Sequence, residues 1–361
     1  MTVSGVLDDP SALRRYDAED MLGAIAQLPT QIRVGWDSTR ALSLPARHHD
    51  VHAVVLLGMG GSAIAGDLVR ATFTDRLKVP LITVRDYELP AFVGPESLVV
   101  AASFSGATEE TVSSLAAALT RRCPVAVITT GGPLKEVALR AELPLLSFPG
   151  GGQPRAAVGW AVSLLGGLLE RAGLLELDDA VVLDAAAAAS SVVERCRPTV
   201  PTEQNQAKQL AWSLVDRLPV IEASGFLAAV ARRWKTQFNE NGKSMAVFEE
   251  LPEATHNTVV GYAQPEALHE RLFVVFLASP ADHPRNSLRA SLSAELLAAE
   301  QIGHQFIPVG GDGRLAQACS AIALGDFVST YLAILYGLDP TPVEAISRIK
   351  ARLSAAEEPD D

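Results

Sequence analysis

Cysteine is scarce in this sequence, which has only three in 361 residues: Cys123, Cys196 and Cys319. They are far apart and odd in number, and none lies in a CxxC pair or beside a histidine at metal-ligand spacing. This pattern argues against a disulfide framework and against a zinc site. We expect three buried free thiols in a protein of the reducing cytoplasm.

Basic residues are also few, with 30 lysines and arginines against 42 aspartates and glutamates and a formal net charge of −12. Nucleic acid and anionic membranes select positively charged surfaces, so we expect neither as a partner. The first 20 residues lack the apolar core of a signal peptide, and no uncharged apolar run is long enough to span a bilayer. An anionic ligand must then be attracted by a local field.

The chain is longer than most single domains, and its 48 % apolar content can form substantial cores. Apolar runs alternate with helical patterns on both sides of a Pro-containing break at residues 197–201, which predicts an α/β fold with parallel sheets covered by helices. We expect an N-terminal helical segment at 1–45, with Asp9 or Ser11 as a cap, domains at 46–197 and 198–355, and a disordered acidic tail at 356–361. The expected strands are 53–57, 79–84, 98–102, 125–128 and 143–148, then 218–223, 272–277 and 305–309, and the expected helices of the second domain include 226–247, 284–300 and 315–338.

Two strand-to-helix turns carry the strongest chemical signal. The first places Gly60, Gly61 and Ser62 after a buried apolar run, where bare backbone and helix N–H groups favour a phosphate. The second adds further hydroxyls, at Ser103, Ser105 and Thr108. Because both turns follow parallel strands, we expect one phosphorylated ligand between them.

Each hydroxyl taken alone is also a common helix cap, and Glu109 and Glu110 fit the first turn of a helix by dipole logic. The first turn loosely fits the dinucleotide pattern G-x-G-x-x-A, with Asp86 near a second strand end. A dinucleotide site is therefore an open alternative.

Three further residues are candidates for catalysis. Arg155 follows a glycine run just before a helix, a position better explained by a bound anion or developing negative charge than by a surface charge. Glu240 lies among amides at the end of a helical run, and His256 lies in a polar loop instead of on an apolar face. Such a pair could share proton transfer, the glutamate at carbon and the histidine at oxygen.

Six segments in order resemble the bifunctional phosphoglucose/phosphomannose isomerase family, a branch of the sugar isomerase (SIS) domain proteins within the phosphoglucose isomerase superfamily. The resemblance covers nearly the whole chain. The segments are GMGGSAIAGD (58–67), SFSGATEET (103–111), QPRAAVG (153–159), FNENGKS (238–244), ELPEATHNTVVG (250–261) and DPTPVEAISRIKARL (339–353).

The resemblance implies two SIS domains, each a five-stranded parallel sheet sandwiched by helices, in a homodimer whose active site borrows a residue from the partner. It also implies an aldose–ketose isomerase of hexose 6-phosphates that works through a cis-enediol without metal or cofactor. The roles it assigns are phosphate binding by Gly60, Gly61, Ser62, Ser103, Ser105 and Thr108, transition-state stabilisation by Arg155, base catalysis by Glu240, ring opening by His256 of the neighbouring subunit with Lys350, and accommodation of either C2 epimer near Thr341.

Two residues depart from the family's usual SYSGNTEET segment: Phe104 replaces tyrosine and Ala107 replaces asparagine. The lost asparagine amide removes one donor near the phosphate turn, so we expect weaker substrate binding with activity kept. A catalytically silent SIS-domain sugar-phosphate binding or regulatory protein is the main alternative. Isomerases of amino sugars or pentose phosphates are others.

Overall fold

Two parallel β-sheets organise the chain in a computed structural model, which describes residues 3–356. The first sheet has five strands in the order β2-β1-β3-β4-β5, and the second has four in the order β7-β6-β8-β9. The strands are β1 Ala53–Leu57, β2 Leu81–Val84, β3 Ser97–Ser103, β4 Val125–Thr129, β5 Leu145–Ser147, β6 Leu218–Ser224, β7 Val247–Leu251, β8 Leu272–Ala278 and β9 Gly303–Pro308.

Helices cover both sheets, as expected of parallel strands joined by crossover connections. The helices are α1 Pro10–Tyr16, α2 Met21–Ile25, α3 Leu28–Ser38, α4 Gly60–Thr72, α5 Glu109–Thr120, α6 Gly132–Arg140, α7 Val158–Arg171, α8 Asp179–Cys196, α9 Gln206–Ser213, α10 Leu227–Glu240, α11 Thr258–Gly261, α12 Pro284–Ala299, α13 Gly313–Leu335 and α14 Glu344–Ala355. The doubly covered α/β architecture predicted from the alternation of runs is confirmed.

Strand β1 shows why its apolar run is continuous. Val54 and Leu56 point into a core that extends through both halves of the chain, whereas Val55 and Leu57 point into a separate core on the other face of the first sheet. Because successive side chains of a strand face opposite ways, a strand buried on both faces needs apolar residues at every position. Strands β3 and β4 are also buried on both faces, so their continuous apolar runs could be predicted as strands in the same way.

The second sheet differs from the expectation in two ways. Within residues 3–356 it has four strands, so the expectation of five was wrong: β9 leads into α13 without a counterpart of β5. The helix expected at 226–247 ends at Glu240, and β7 follows it. Lys243 adopts a left-handed backbone conformation with φ of 52°, which interrupts the helical path.

Among the N-terminal helices, α3 packs against α7 and α8. Asp9 caps α1 by accepting from the Ser11 amide. The division of the chain after Arg197 stays a prediction, and we refer to the parts before and after it as the first and second halves. Most of the expected acidic tail, 357–361, lies outside the described residues.

Helix α13 is the longest described helix and packs against α8 across the two halves. By length and composition alone it could cross a membrane, although it is not an uncharged run, because it contains Arg314 and Asp326. Its apolar stretch is 94 % buried inside the protein, as in the core helix of a globular fold. The three cysteines are buried and free, as predicted.

Candidate active site

The first phosphate-binding candidate is the N-terminus of α4. Gly60 begins the helix with φ of 49°, a conformation that disfavours residues with a Cβ. The amides of Ser62 and Ala63 both donate to the Met59 carbonyl, which leaves those of Gly60 and Gly61 at the helix end for a ligand. A Cβ at Gly61 would stand 3.1 Å from the Pro154 carbonyl oxygen, so a bare backbone is needed where the turns meet.

The second candidate is the turn between β3 and α5. The buried Ser103 hydroxyl lies 2.7 Å from that of Thr108 and accepts from the Gly106 amide. Thr108 precedes α5 but makes no side-chain capping bond, so capping does not account for its hydroxyl. The exposed Ser105 oxygen accepts from the Ala107 amide, which leaves its hydroxyl proton free to donate. Ser62 and Ser103 line one small cavity, so the two turns are neighbours.

The two departures from the family segment lie in this second turn. The Phe104 ring packs edge-on against Phe148, with ring centroids 5.8 Å apart, in an apolar stack that Trp160 extends. Ala107 is exposed, and its backbone amide donates a hydrogen bond to the Ser105 hydroxyl oxygen. Phe104 therefore contributes packing, whereas Ala107 leaves space where a longer polar side chain could reach a ligand.

Arg155 links the two halves of the chain. It lies in a short 3₁₀ turn, Pro154–Ala156, and its side chain is 3 % exposed. Its Nε donates to the Asn241 side chain, and its Nη2 donates to the Pro340 carbonyl at 2.8 Å and to the Thr341 carbonyl at 2.6 Å. These three acceptors belong to the second half.

Four of the five Arg155 N–H groups are thus occupied, because Nη1 also donates to the Gln153 side chain at 3.1 Å. The fifth is on Nη1, which lies 3.9 Å from the Glu240 carboxylate. Burial lowers the pKa of Arg155 while Glu240 opposes this shift, and a guanidinium stays charged in either case. The arrangement holds one directed cationic donor beside one carboxylate.

Arg155 is supported by a buried ion pair that was not predicted from the sequence, Arg233 with Asp326. Arg233 on α10 is buried, and it donates to the Arg155 carbonyl at 2.9 Å and to the buried Asp326 carboxylate on α13. Gln237 donates to the same carboxylate at 2.9 Å. The sequence feature that could have indicated this pair is Asp326, a single acidic residue within a long apolar run. A buried charge needs a partner of opposite charge.

Lys243 was missed as well. Its Nζ donates to the carbonyls of Glu240, Pro340 and Pro342, and so joins the end of α10 to the loop that Arg155 also contacts. Burial is the main cause that lowers the pKa of Lys243 to about 8, and the charge of Arg155 adds to it. The sequence feature that could have indicated this role is the position of the lysine, three residues after the predicted base Glu240.

Glu240 is the last residue of α10 and its side chain is 28 % exposed. It borders an open cavity of about 510 Å³ together with Lys243, Asp339 and the first turn of α14. Nearby Thr341 is buried, and its hydroxyl has no hydrogen-bond partner in the described part of the chain. Of these two groups, the Glu240 carboxylate borders the cavity, and the Thr341 hydroxyl lies behind its lining.

His256 and Lys350 are not brought to this cavity. His256 is exposed in a 3₁₀ turn, Glu253–His256, that follows β7, and Lys350 is exposed on α14. Neither borders the cavity beside Glu240 within residues 3–356. No residue of α14 is buried, and Ile346, Ile349 and Leu353 present an exposed apolar strip.

Comparison with known proteins supports the family resemblance. A family model described as the bacterial phospho-glucose isomerase C-terminal SIS domain matches residues 203–353. The bifunctional phosphoglucose/phosphomannose isomerase of Caldicellulosiruptor bescii is 39 % identical over 335 residues, which cover 92 % of this chain and 99 % of that protein. The protein of the same name from Aquifex aeolicus is 35 % identical, over 83 % of this chain and 90 % of its own length.

A solved structure shares the fold. The glucose-6-phosphate isomerase like protein from Thermus thermophilus aligns with a TM-score of 0.64 and 20 % identity, and covers 93 % of this chain and 97 % of its own. At that identity the likeness concerns the fold, two parallel sheets flanked by helices. The sequence identity with the curated relatives, which extends over nearly their full length, also shows the family. The chain belongs to the bifunctional phosphoglucose/phosphomannose isomerase family.

Proposed function

We propose that this chain is an aldose–ketose isomerase that interconverts glucose 6-phosphate, mannose 6-phosphate or both with fructose 6-phosphate. One observation supports this beyond family membership. The single uncommitted N–H of Arg155 is on the nitrogen 3.9 Å from Glu240, so a base stands beside a fixed cation. Proton abstraction next to a carbonyl requires this pairing, because the carbanion's charge moves onto oxygen.

The substrate's phosphate binds the two turns that meet beside Arg155. The amides of Gly60 and Gly61 and the hydroxyl protons of Ser105 and Thr108 are its donors. Because the chain is acidic overall, these donors and the N-terminal dipole of α4 supply the local field that attracts the dianion. The sugar carbons then extend toward the second half, where Glu240 lies.

The reaction begins with ring opening, in which a proton leaves the C1 hydroxyl and reaches the ring oxygen; His256 and Lys350 are the groups that move it. Glu240 then takes the proton from C2, and the C–H electron pair becomes the C1=C2 double bond while the C1 oxygen gains a proton. The protonated Glu240 returns its proton to C1, and the C2 hydroxyl loses a proton as the ketone forms. Arg155 stabilises the enediolate oxygens throughout.

Glucose and mannose 6-phosphates share this enediol, so one base serves both epimers if the intermediate can rotate about C2–C3. The buried Thr341 hydroxyl, which has no partner within the described residues, is the group we assign to the C2 side of the sugar. Its backbone carbonyl is fixed by Arg155, so its position follows that of the cation.

We further propose that the enzyme is a homodimer in which His256 acts in the partner's site. Two features support this. His256 is exposed and away from the Glu240 cavity, and the apolar strip of α14 is uncovered within one protomer. Covering that strip with a second copy would also bury one side of the helix that carries Lys350. The three buried free thiols support a cytoplasmic location.

The decisive test is Glu240→Gln, assayed from fructose 6-phosphate with glucose 6-phosphate and mannose 6-phosphate measured separately. A general base contributes a factor of about 10² to 10⁴, so kcat should fall by at least that range while KM stays within about twofold. The exposed Glu136→Gln on α6 is the matched control. A folded wild-type protein that binds fructose 6-phosphate without converting it would establish the silent-module alternative instead.

The shared-site arrangement is tested by mixing inactive Glu240→Gln and His256→Ala chains under conditions of proven subunit exchange. Half of the dimers formed at random are mixed, and each has one intact site if the histidine crosses the interface. About a quarter of wild-type activity should therefore return. No recovery would mean that His256 acts within its own chain.

A further inference from the structure

A second cavity, at the carboxyl edge of the second sheet, lies apart from Glu240. It has a volume of about 450 Å³ and is bordered by the turn after β6 and by the turn after β8. In the second sheet β6 lies between β7 and β8, as β1 lies between β2 and β3 in the first. The cavity therefore occupies the edge that corresponds to the phosphate turns of the first sheet.

At this edge of the second sheet, the groups of the two turns are already hydrogen-bonded to each other. Ser224 at the end of β6 donates to the Asp282 carboxylate at 2.8 Å, and the other oxygen of Asp282 accepts from the Ser279 amide at 2.9 Å. An internal carboxylate thus fills the place that the first sheet leaves to a ligand. A phosphate at this edge must be held by other groups.

Those groups are three arginines from three helices. Arg70 on α4, Arg232 on α10 and Arg314 on α13 all line the cavity. The Arg70 side chain makes no hydrogen bond or ion pair with residues 3–356, and the Arg314 side chain makes only an exposed pair with Asp75, an interaction of small net value. Guanidinium groups placed around one space match the geometry of a phosphate.

Three carboxylates, those of Asp67, Asp282 and Glu250, line the cavity together with the arginines. Asp67 is shared by Arg85 and Arg232, and Asp282 already accepts two hydrogen bonds. Glu250 is exposed on β7 and remains available to a hydroxyl. A ligand with one phosphate and several hydroxyls satisfies both kinds of group.

Two polar side chains complete the lining. Nδ1 of His283 accepts from the Arg285 amide at 3.1 Å, so in the neutral ring the proton is on Nε2, which becomes a donor. Asn286 offers both an amide donor and a carbonyl acceptor. From these contacts we propose that the cavity is a second binding site, separate from the candidate active site, for a phosphorylated, hydroxyl-bearing metabolite.

Two helices connect this second site to the proposed active site, so ligand binding at one can affect the other. Arg70 is eight residues beyond Ser62 on α4, and Arg232 is eight residues before Glu240 on α10, each about 12 Å along a rigid helix. A ligand that draws Arg70 and Arg232 together would thus act on the helices that hold the substrate phosphate and the base. This coupling rests on the proposed function, whereas binding does not.

The test is hydrogen exchange of the full-length protein with fructose 6-phosphate as the probe and fructose as the unphosphorylated control. Exchange in residues 281–290 reports the cavity, and exchange in 103–110 reports the first-sheet turn. We expect fructose 6-phosphate, and not fructose, to slow exchange in both segments. In Arg70→Ala/Arg314→Ala the concentration for half-protection of 281–290 should rise at least tenfold, while 103–110 stays protected.

Two further variants separate the possible outcomes. Arg140→Ala, an exposed arginine at the end of α6, should behave as wild type. Ser105→Ala/Thr108→Ala should lose protection of 103–110 and keep that of 281–290, since the second site binds directly. Three results would overturn the proposal. They are no protection of 281–290 in wild type, unchanged protection of 281–290 in Arg70→Ala/Arg314→Ala, and loss of that protection in Ser105→Ala/Thr108→Ala. Protection of 281–290 alone in wild type would support it and contradict the first-sheet phosphate site.

Discussion

Lys243→Met is the most informative perturbation of the candidate site, because it removes one charge and three hydrogen bonds while keeping the length of the side chain. The backbone of Lys243 has φ of 52°, and methionine is as disfavoured there as lysine. The comparison therefore isolates the ammonium group. Exposed Lys78→Met is the matched control.

The stability effect has a definite sign. The pKa of Lys243 is about 8 in the folded protein, against the ordinary lysine value of 10.5 that holds in the unfolded chain. Between these values the unfolded chain binds more protons than the folded one, so the free energy of unfolding rises as pH increases from 8 to 10.5. The full shift corresponds to about 3.4 kcal/mol, and solvent screening of this half-buried group reduces it to about 1 to 2 kcal/mol.

Urea denaturation at several pH values measures this difference. We expect the wild-type free energy of unfolding to gain about 1 to 2 kcal/mol relative to Lys243→Met between about pH 8 and pH 10.5, and the two curves to run parallel below about pH 7. The wild-type kcat should decline above about pH 8, because deprotonation removes a positive charge beside Arg155 and Glu240. In Lys243→Met kcat should be lower and lack that decline. Parallel stability curves across the whole range, or an unchanged basic limb, would refute the reasoning.

Three other changes have clear expectations. Ala107→Asn restores an amide at the exposed phosphate turn, so KM should fall about two- to tenfold with kcat unchanged, as one added hydrogen bond allows; a KM that does not move would contradict the expectation. Arg155→Lys keeps the charge and loses the fork that holds Asn241, so kcat should fall about 10²- to 10³-fold and the melting temperature should drop. Leu353→Asp places a charge on the exposed strip of α14, so sedimentation should show monomers; an intact dimer would place the interface elsewhere.

The elements that could be predicted from the sequence are those whose signal is local. Strands β1, β3 and β4 are buried on both faces, so their composition alone marks them, and the turns after β1 and β3 follow from glycine and hydroxyl residues at strand ends. Asp9 as a helix cap is equally local. Each of these depends on neighbours within a few residues.

The elements that could not be predicted depend on distant contacts or on sheet edges. Strand β7 is an edge strand with Glu249 and Glu250 in its centre, so its sequence lacks the apolar run that marked the others. The preceding helix ends at Glu240, and Lys243 soon afterwards adopts a left-handed backbone conformation, although lysine is a good helix former. Tertiary contacts to Pro340 and Pro342 outweigh that propensity.

The location of Arg155 at the junction of the two halves explains why its surroundings could not be inferred from one segment. Its acceptors in the second half lie 86 to 186 residues away in the chain, and its own carbonyl is held by Arg233, whose charge is balanced by Asp326. Burying such charges costs free energy that well-packed apolar side chains of similar volume would avoid, so stability alone does not account for them. What the network does provide is orientation: it uses four donors of Arg155 to fix the fifth beside Glu240. A cation fixed in this way stabilises developing negative charge without reorganising during the reaction, which is why a buried polar network is placed where the two halves meet.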